Sequence, residues 1–107
     1  CIAVIQHLST LERRKKAIDE LIRITKPKGK ILIQVWGFNK DKYDTQEAIV
    51  EWNLQKKYNG NKKTIKINRY YHLFIENELQ NMIPKQNVNI IKSIEEYNNW
   101  IVELEKI

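Results

Sequence analysis

The 107-residue sequence has few residues that cross-link or break a chain, with one cysteine, two prolines and three glycines. The single cysteine, Cys1, excludes an internal disulfide and an all-cysteine zinc site, which agrees with a reducing compartment. No apolar run approaches the roughly 18 residues that a membrane-spanning helix needs, and the N-terminus lacks the basic-then-apolar order of a signal peptide. We therefore expect a cytoplasmic or nuclear protein.

Several chemical signatures are also missing from the sequence. It has no glycine-rich phosphate loop, no metal-spaced cluster of His and Cys, and no nucleophile elbow. His7 and His72 are its only histidines, which are too few to predict a metal site. We expect no metal in this chain.

Acidic residues are absent from the whole stretch between Trp52 and Ile75. The same stretch supplies six positive charges, from Lys56, Lys57, Lys62, Lys63, Lys66 and Arg69. Such a basic segment favours a polyanion, which the five lysines would contact. The alternative is a solvated, lysine-rich loop.

The first 36 residues predict an α/β fold. Residues 1–5 form an apolar run that predicts a short buried strand, and because it has no leading loop we expect the chain to be part of a longer protein. The capping box Ser9-Thr-Leu-Glu12 starts a helix that ends near Pro27 and Gly29. Residues 30–36 predict a strand covered on both faces, so the unit is a right-handed parallel crossover.

The remaining chain is less regular. Residues 39–68 predict a lysine- and asparagine-rich insertion or loop, with a short helix within residues 46–57 and a turn at residues 58–61. Residues 76–83 predict a short helix stopped by Pro84. Residues 88–94 and 100–107 predict two strands joined by a turn around residues 97–99. The alternation in the last strand is typical of a half-exposed strand, and such strands occur near an antiparallel edge.

The segment Arg69-Tyr-Tyr-His-Leu-Phe74 combines a cation with four aromatic rings. RNA loops are commonly bound by stacking on such rings while arginine holds a phosphate or carboxylate. If the segment is extended, alternate residues point to opposite sides. On the residues alone, the segment could be part of the core or a stacking surface with a charged clamp.

Two further positions are candidates. His7 follows the first predicted strand, and ligands of open α/β sheets bind at the carboxyl ends of strands. His7 is therefore a candidate site residue, with a loop hydrogen bond as the alternative. Trp36 marks the same edge, but we expect it in the core.

Several separated motifs occur together in the chain. They are Ile2-Ala-Val-Ile-Gln-His-Leu-Ser-Thr10, Glu12-Arg-Arg14, Leu21-Ile-Arg23, Lys26-Pro27, Gly29-Lys30, Gln34-Val-Trp36, Val50 with Trp52, Arg69 to Phe74 with Glu78-Leu79, and Asn99-Trp100. In this order they resemble the S-adenosylmethionine-dependent methyltransferases that finish the carboxymethyl side chain on the wobble uridine of tRNA. Gln6 stands where that family usually has a histidine, which argues against a role that needs an ionisable group there.

The resemblance implies both a fold and an activity. Residues 1–107 would be the C-terminal half of one class I, Rossmann-like methyltransferase domain, with parallel strands and a C-terminal antiparallel strand pair. The cofactor would be S-adenosylmethionine, lined here by Ile5, Gln6 and His7, while the main binding motif is expected upstream. Arg69, Tyr70 and His72 would face the substrate together with His7 and Trp52. Tyr71, Leu73 and Phe74 would face the core. The fragment alone is expected to be inactive.

The resemblance also implies partners, which are tRNA and a small zinc-containing activator subunit that contacts the missing N-terminal half. The first strand has an open edge in this fragment, so we expect dimerisation or poor solubility if the fragment exists alone. Two alternatives stay open at this point. One is a class I methyltransferase that acts on a small molecule, and the other is a non-catalytic RNA-binding module.

Overall fold

The structure, a computed structural model, describes residues 1–54 and 65–107. Within these ranges lie one 3-10 turn, two helices and five strands. Their bounds are Ile5–His7 for the 3-10 turn, Leu11–Ile24 (α1), Lys30–Trp36 (β1), Glu47–Leu54 (β2), Ile65–His72 (β3), Glu78–Met82 (α2), Val88–Glu96 (β4) and Asn99–Lys106 (β5). The turn predicted at residues 58–61 lies outside the described residues. No helix in the described part is long and apolar enough to cross a membrane.

The predicted first helix is confirmed as α1. Its N-cap is Thr10, whose hydroxyl accepts a hydrogen bond from the Arg13 backbone N–H at 3.1 Å, so the predicted Ser9 cap is displaced by one residue. Ile18 and Ile22, one turn apart, are buried against the sheet. After the helix, the left-handed backbone conformation falls on Lys28, with φ of 66°, and not on Gly29.

Three strands form the main sheet in the order β1–β5–β4, and both pairings are antiparallel. The two predicted C-terminal strands are therefore confirmed. The last strand, β5, pairs on both sides and lies next to the edge strand β4, which agrees with the expected position near an antiparallel edge. Val102 and Leu104 of β5 pack with Ile33 and Val35 of β1 in the core, below α1.

The predicted N-terminal strand is wrong. Residues before the 3-10 turn make a single parallel bridge, between Ile2 and Gln34, and Ile2 and Val4 are more than half exposed. The Ala3 N–H donates to the Gln34 carbonyl at 2.9 Å. Ala3 then adopts φ of 56°, which turns the backbone out of an extended path and ends the pairing.

β2 and β3 form a separate antiparallel hairpin, and β2 and the first four residues of β3 lie within the segment that the sequence predicted to be a loop. The helix predicted within residues 46–57 is wrong, since Glu47–Leu54 is a strand. The register runs from Glu47 opposite His72 to Leu54 opposite Ile65. Branched residues such as Ile49 and Val50 favour an extended backbone, and pairing with β3 stabilises the strand over the helix.

The hairpin is tied to the main sheet just after β3. Gly37 and Phe74 form a parallel bridge, in which the Phe74 N–H donates to the Trp36 carbonyl at 2.9 Å. The Phe74 carbonyl in turn accepts from the Phe38 N–H and from the Trp100 indole N–H, at 2.8 and 2.9 Å. The short helix predicted near this point is confirmed as α2, with Leu79 in the core. These bonds place the end of β3 beside the carboxyl end of β1.

Candidate functional site

The end of β3 presents the residues that the sequence singled out. Tyr71, Leu73 and Phe74 are buried, as predicted. Side chains alternate along a strand, so Arg69 shares a strand face with Tyr71, while Tyr70 and His72 share the other face. Arg69 is exposed, Tyr70 is half-buried and His72 is only 6% exposed.

His72 is held between two carboxylates. Its Nδ1 lies 2.6 Å from Glu47 Oε1, on the neighbouring strand, and its Nε2 contacts Glu78 Oε2 on α2. Both contacts are hydrogen bonds at once only when each ring nitrogen carries a proton, since carboxylates only accept. The ring edge also packs on Phe74, with centroids 5.0 Å apart. His72 therefore fastens the hairpin to α2, and the prediction that it lines an open base pocket is wrong.

The two carboxylates that contact His72 each accept further hydrogen bonds. Tyr70 donates its hydroxyl to the same Glu47 oxygen at 3.2 Å. On the other side, Glu78 Oε1 accepts from Gln46 Nε2 at 2.7 Å and from the Ile75 N–H at 3.1 Å. These five side chains, Gln46, Glu47, Tyr70, His72 and Glu78, are called the His72 network below. The network fixes the Tyr70 ring relative to the body of the protein.

Two pKa values within the His72 network are shifted. The hydrogen bond from His72 lowers the pKa of Glu47 below its usual value, against an opposing effect of burial. Burial raises the pKa of Tyr70, and the charge of Glu47 adds to this increase, while the Arg14 guanidinium acts in the opposite direction. Tyr70 is therefore a neutral hydrogen-bond donor at physiological pH.

An open cleft of about 280 Å³ is lined by His7, Arg69 and Tyr70, and we call it the Arg69 cleft. His7 Nδ1 lies 3.1 Å from the Tyr70 carbonyl oxygen. Because a carbonyl only accepts, Nδ1 is the protonated nitrogen, and Nε2 of the neutral ring is an acceptor. The cleft follows the edge of β3 that faces away from β2, so side chains from both strand faces border it. The structure thus brings together three predicted residues from two distant segments.

Ile5 and Gln6 lie beneath this cleft. Both are buried, and Ile5 belongs to the hydrophobic core, so their predicted role in lining the cofactor site is wrong. Gln6 Oε1 accepts a hydrogen bond from the Trp36 N–H at 2.6 Å. Its Nε2 is buried without a hydrogen-bond partner. Gln6 therefore secures the 3-10 turn to the end of β1, and His7 alone faces outward.

Trp36 was expected in the core, but it is 38% exposed. It stacks on Tyr71 with ring centroids 4.7 Å apart and an interplanar angle of 16°, and Tyr71 lies 4.4 Å from the His7 ring. A row of three rings therefore runs from the Arg69 cleft to the end of β1. Sequence reasoning missed Trp36 as a site residue, although its place beside Gly37 at a strand end was a signal.

The remaining candidates belong to the hairpin. Trp52 lies opposite Ile67 in the register, and its role at the substrate stays a prediction. Lys66 is exposed and lies 3.4 Å from Glu51, while the other four candidate lysines lie outside the described residues. Across residues 1–54 and 65–107, no group of three His, Cys, Asp or Glu side chains could hold a metal ion.

The fold matches that of a known class of proteins. An S-adenosylmethionine-dependent methyltransferase from Clostridium acetobutylicum superposes with a TM-score of 0.71 at 8% sequence identity, over 99% of this chain and 56% of that one. At this identity the likeness shows the fold alone, which is the α/β fold of such methyltransferases.

Sequence comparison identifies the family, although no model of a protein family matches. The chain is 32% identical over 126 residues to a tRNA (carboxymethyluridine(34)-5-O)-methyltransferase of Schizosaccharomyces pombe, covering 98% of this chain and 54% of that protein. It is 30% identical over 161 residues to a protein of that name from Xenopus tropicalis, covering 99% of this chain and 26% of the relative. An Arabidopsis thaliana protein of that name is 50% identical over 58 residues, 53% of this chain and 14% of the relative. The chain belongs to this methyltransferase family, and it spans about half or less of the length of these relatives.

Proposed function

We propose that this chain is the C-terminal half of the catalytic domain of a tRNA methyltransferase. The full-length protein would transfer a methyl group to the carboxylate of 5-carboxymethyluridine at the wobble position. The observation that carries the proposal is the Arg69 cleft, where a guanidinium, a phenol and an imidazole meet at the edge of the fold. Homology along the whole chain to proteins named for this reaction supports it.

The mechanism needs no general base. A carboxylic acid with a pKa near 4 is already ionised at neutral pH, so its oxygen is a nucleophile without losing a proton. The residues of the cleft therefore act by positioning and by excluding water. Arg69 would hold the carboxylate or a neighbouring phosphate through paired N–H donors. Tyr70 and His7 would contact the base, with Tyr70 held in place by the His72 network.

S-adenosylmethionine would supply the methyl group as an electrophile bound to a positively charged sulfur. Of the residues expected to line its site, only His7 is partly exposed, at the edge of the cleft. His7 would thus border the cofactor but not hold it. We propose that the residues that hold the cofactor belong to an upstream segment, so that the fragment alone is inactive.

The finer architecture and the partners are also proposals. The parallel direction of the Ile2–Gln34 bridge supports a parallel continuation of the main sheet upstream of β1. A small zinc-containing activator would dock on the upstream half. The exposed edge at residues 1–4 would favour dimers if the fragment occurs alone. We propose that the protein acts in the cytoplasm or nucleus.

The methylated product has a chemical signature that tests the proposal. We expect the full-length protein, with its activator, to transfer a labelled methyl group from S-adenosylmethionine to tRNA that carries 5-carboxymethyluridine. Mild alkali should release the label as methanol, because an ester hydrolyses where a methylated base nitrogen or ribose does not. The same tRNA with unmodified uridine is the control.

Each of the other outcomes selects a different function. Alkali-stable label on tRNA would contradict the ester. Methyl transfer to small carboxylates but not to tRNA would favour a small-molecule methyltransferase. Binding of tRNA without binding of S-adenosylmethionine would favour a non-catalytic module.

The basic segment should contribute affinity without selecting sequence. We expect replacement of Lys56, Lys57, Lys62, Lys63 and Lys66 with glutamine to weaken tRNA binding and to flatten the plot of log K against log salt by about 0.7 to 0.9 per lost phosphate contact. Filter binding at several salt concentrations measures the slope. Replacing Lys15 and Lys16, exposed on α1, is the matched control. An unchanged slope would mean that these lysines are solvated and do not contact RNA.

A further inference from the structure

A second pocket, distinct from the Arg69 cleft, lies at the carboxyl end of β1. Its volume is about 250 Å³, and it is open to solvent. The segment after β1 supplies Lys42 and Tyr43, the turn between β4 and β5 supplies Tyr97 and Asn98, and Trp36 lines it from β1. We call it the Tyr97 pocket. It shares no lining residue with the Arg69 cleft.

Tyr97 is the unusual residue of this pocket. It adopts φ of 51°, followed by φ of 61° at Asn98, as in a two-residue hairpin turn of type I′. Asparagine and glycine suit such positions, while a bulky residue at positive φ is an outlier. The ring is 90% exposed, so packing does not offset the strain. Backbone strain that local packing does not explain points to a function of the side chain.

The wall behind Tyr97 is rigid. The Gly37 N–H donates to the Asn98 carbonyl at 2.7 Å, and Asn98 Nδ2 donates to the Gly37 carbonyl at 3.1 Å. A side chain at position 37 would put its Cβ 2.6 Å from the Asn98 oxygen, so glycine is required for this close approach. The turn that carries Tyr97 is therefore fixed against the end of β1.

The composition of the pocket suits a nucleobase. Three aromatic rings, those of Trp36, Tyr43 and Tyr97, line it together with amide side chains that can both donate and accept hydrogen bonds. Single-stranded RNA is bound in this way, by stacking on aromatic faces with polar groups at the base edges. Lys42 lies 5.5 Å from the Tyr43 ring centroid and supplies a positive charge for a phosphate.

The ring row connects the two sites. Trp36 lines the Tyr97 pocket, stacks on Tyr71, and through it reaches His7 of the Arg69 cleft. Neighbouring nucleotides of one RNA loop could therefore occupy the two sites at once. The geometry points to the Tyr97 pocket as a second nucleotide subsite, which stacks an unpaired base next to the nucleotide that is methylated. This inference rests on the proposed function.

The test pairs a protein variant with altered RNA. Full-length protein methylates three anticodon stem-loops that carry 5-carboxymethyluridine at the wobble position. One is intact, one lacks the base on the 5′ side of that uridine, and one lacks the base on its 3′ side. Tyr97→Asn removes the ring but keeps a residue that tolerates positive φ, so the turn is preserved. Glu96→Asn, exposed beside the turn and outside the pocket, is the control.

We expect Tyr97→Asn to raise the KM for the intact stem-loop about tenfold with kcat within about twofold, the loss typical of one stacking contact. Glu96→Asn should not raise the KM. With wild-type protein, the KM for one of the two abasic stem-loops should be about tenfold higher than for the intact stem-loop. Tyr97→Asn should not raise the KM for that abasic stem-loop any further. The subsite would be overturned if Tyr97→Asn left the KM for the intact stem-loop unchanged. It would also be overturned if the effects of the substitution and of the missing base on the KM multiplied for both abasic stem-loops. Alkali-labile methylation of the intact stem-loop by the wild type would still stand in that case, whereas its absence would overturn the proposed function as well.

Discussion

Replacing His72 with alanine is expected to lower the free energy of unfolding of the full-length protein by about 3 kcal/mol. The ring is 6% exposed and contacts carboxylates from both β2 and α2. Without it, the partly buried Glu78 would lose a hydrogen-bond partner and a cavity would open beside Phe74. Urea unfolding followed by circular dichroism measures the change.

A surface ion pair provides the control. Lys66→Ala removes the contact with Glu51, in which both side chains are more than half exposed, and we expect a loss of less than about 0.5 kcal/mol. If His72→Ala unfolded at the same urea concentration as Lys66→Ala, the role of His72 in joining the hairpin to α2 would be wrong.

The difference in stability between the wild type and His72→Ala should depend on pH. The pKa of Glu47 in the folded protein lies below its usual value of 4.5 because His72 donates a hydrogen bond to it. A carboxyl group with a lowered folded pKa stabilises the protein above its unfolded pKa, and this stabilisation is lost as pH falls through the folded value. The gap in stability between wild type and His72→Ala should therefore narrow as the pH is lowered below about 4.5. A gap that widened would contradict the assignment.

Replacing Arg69 with alanine is expected to lower kcat/KM for methylation of tRNA by about 100-fold. Loss of one partner of a hydrogen-bonded charge pair typically costs about 2 to 5 kcal/mol, and a factor of 100 corresponds to about 2.7 kcal/mol. Arg69 lines the cleft with His7 and Tyr70, and its side chain is exposed. Circular dichroism of the variant checks that it is folded before the rates are compared. Initial rates of label transfer to tRNA measure the effect.

Two variants sharpen this experiment. Arg69→Lys keeps the charge but loses the paired donors, so an intermediate rate is expected if arginine holds a carboxylate or phosphate in two-point contact. Arg23→Ala removes an exposed arginine whose two nitrogens contact Glu20 on α1, and it should leave the rate unchanged. Equal methylation rates for Arg69→Ala and Arg23→Ala would show that Arg69 does not contact the substrate.

The elements that the sequence predicted correctly have local signals. The helical spacing of Ile18 and Ile22 predicts α1, and the alternation of Val102 with Leu104 predicts β5. β2 was missed because its signal is not local. Its polar and branched residues fit a short helix as well as a strand, and only pairing with β3, up to 25 positions along the chain between Glu47 and His72, decides.

The sequence predicted which residues lie at the site better than it predicted how they are arranged. Tyr70, Arg69 and His7 do meet, but along the free edge of β3, where residues of both faces can border one cleft. Alternation alone could not show this. It also could not show that His72 is enclosed, because Glu47 comes from a strand that was predicted to be a helix. Tyr97 carried no signal in the sequence beyond its place in a turn, since its positive φ is a property of the folded backbone.

The strand order β1–β5–β4 also governs how the chain is assembled during synthesis. β4 and β5 are joined by a two-residue turn, and such hairpins close within about 1 to 10 μs. β1 must wait for its partner, since Trp36 pairs with Asn99 and Lys30 with Glu105. On the ribosome, at about 5 to 20 residues per second, the apolar strand Lys30–Trp36 is made several seconds before β5 is available. During that interval β1 lacks its partner strand, and its apolar residues and unpaired backbone are exposed to aggregation.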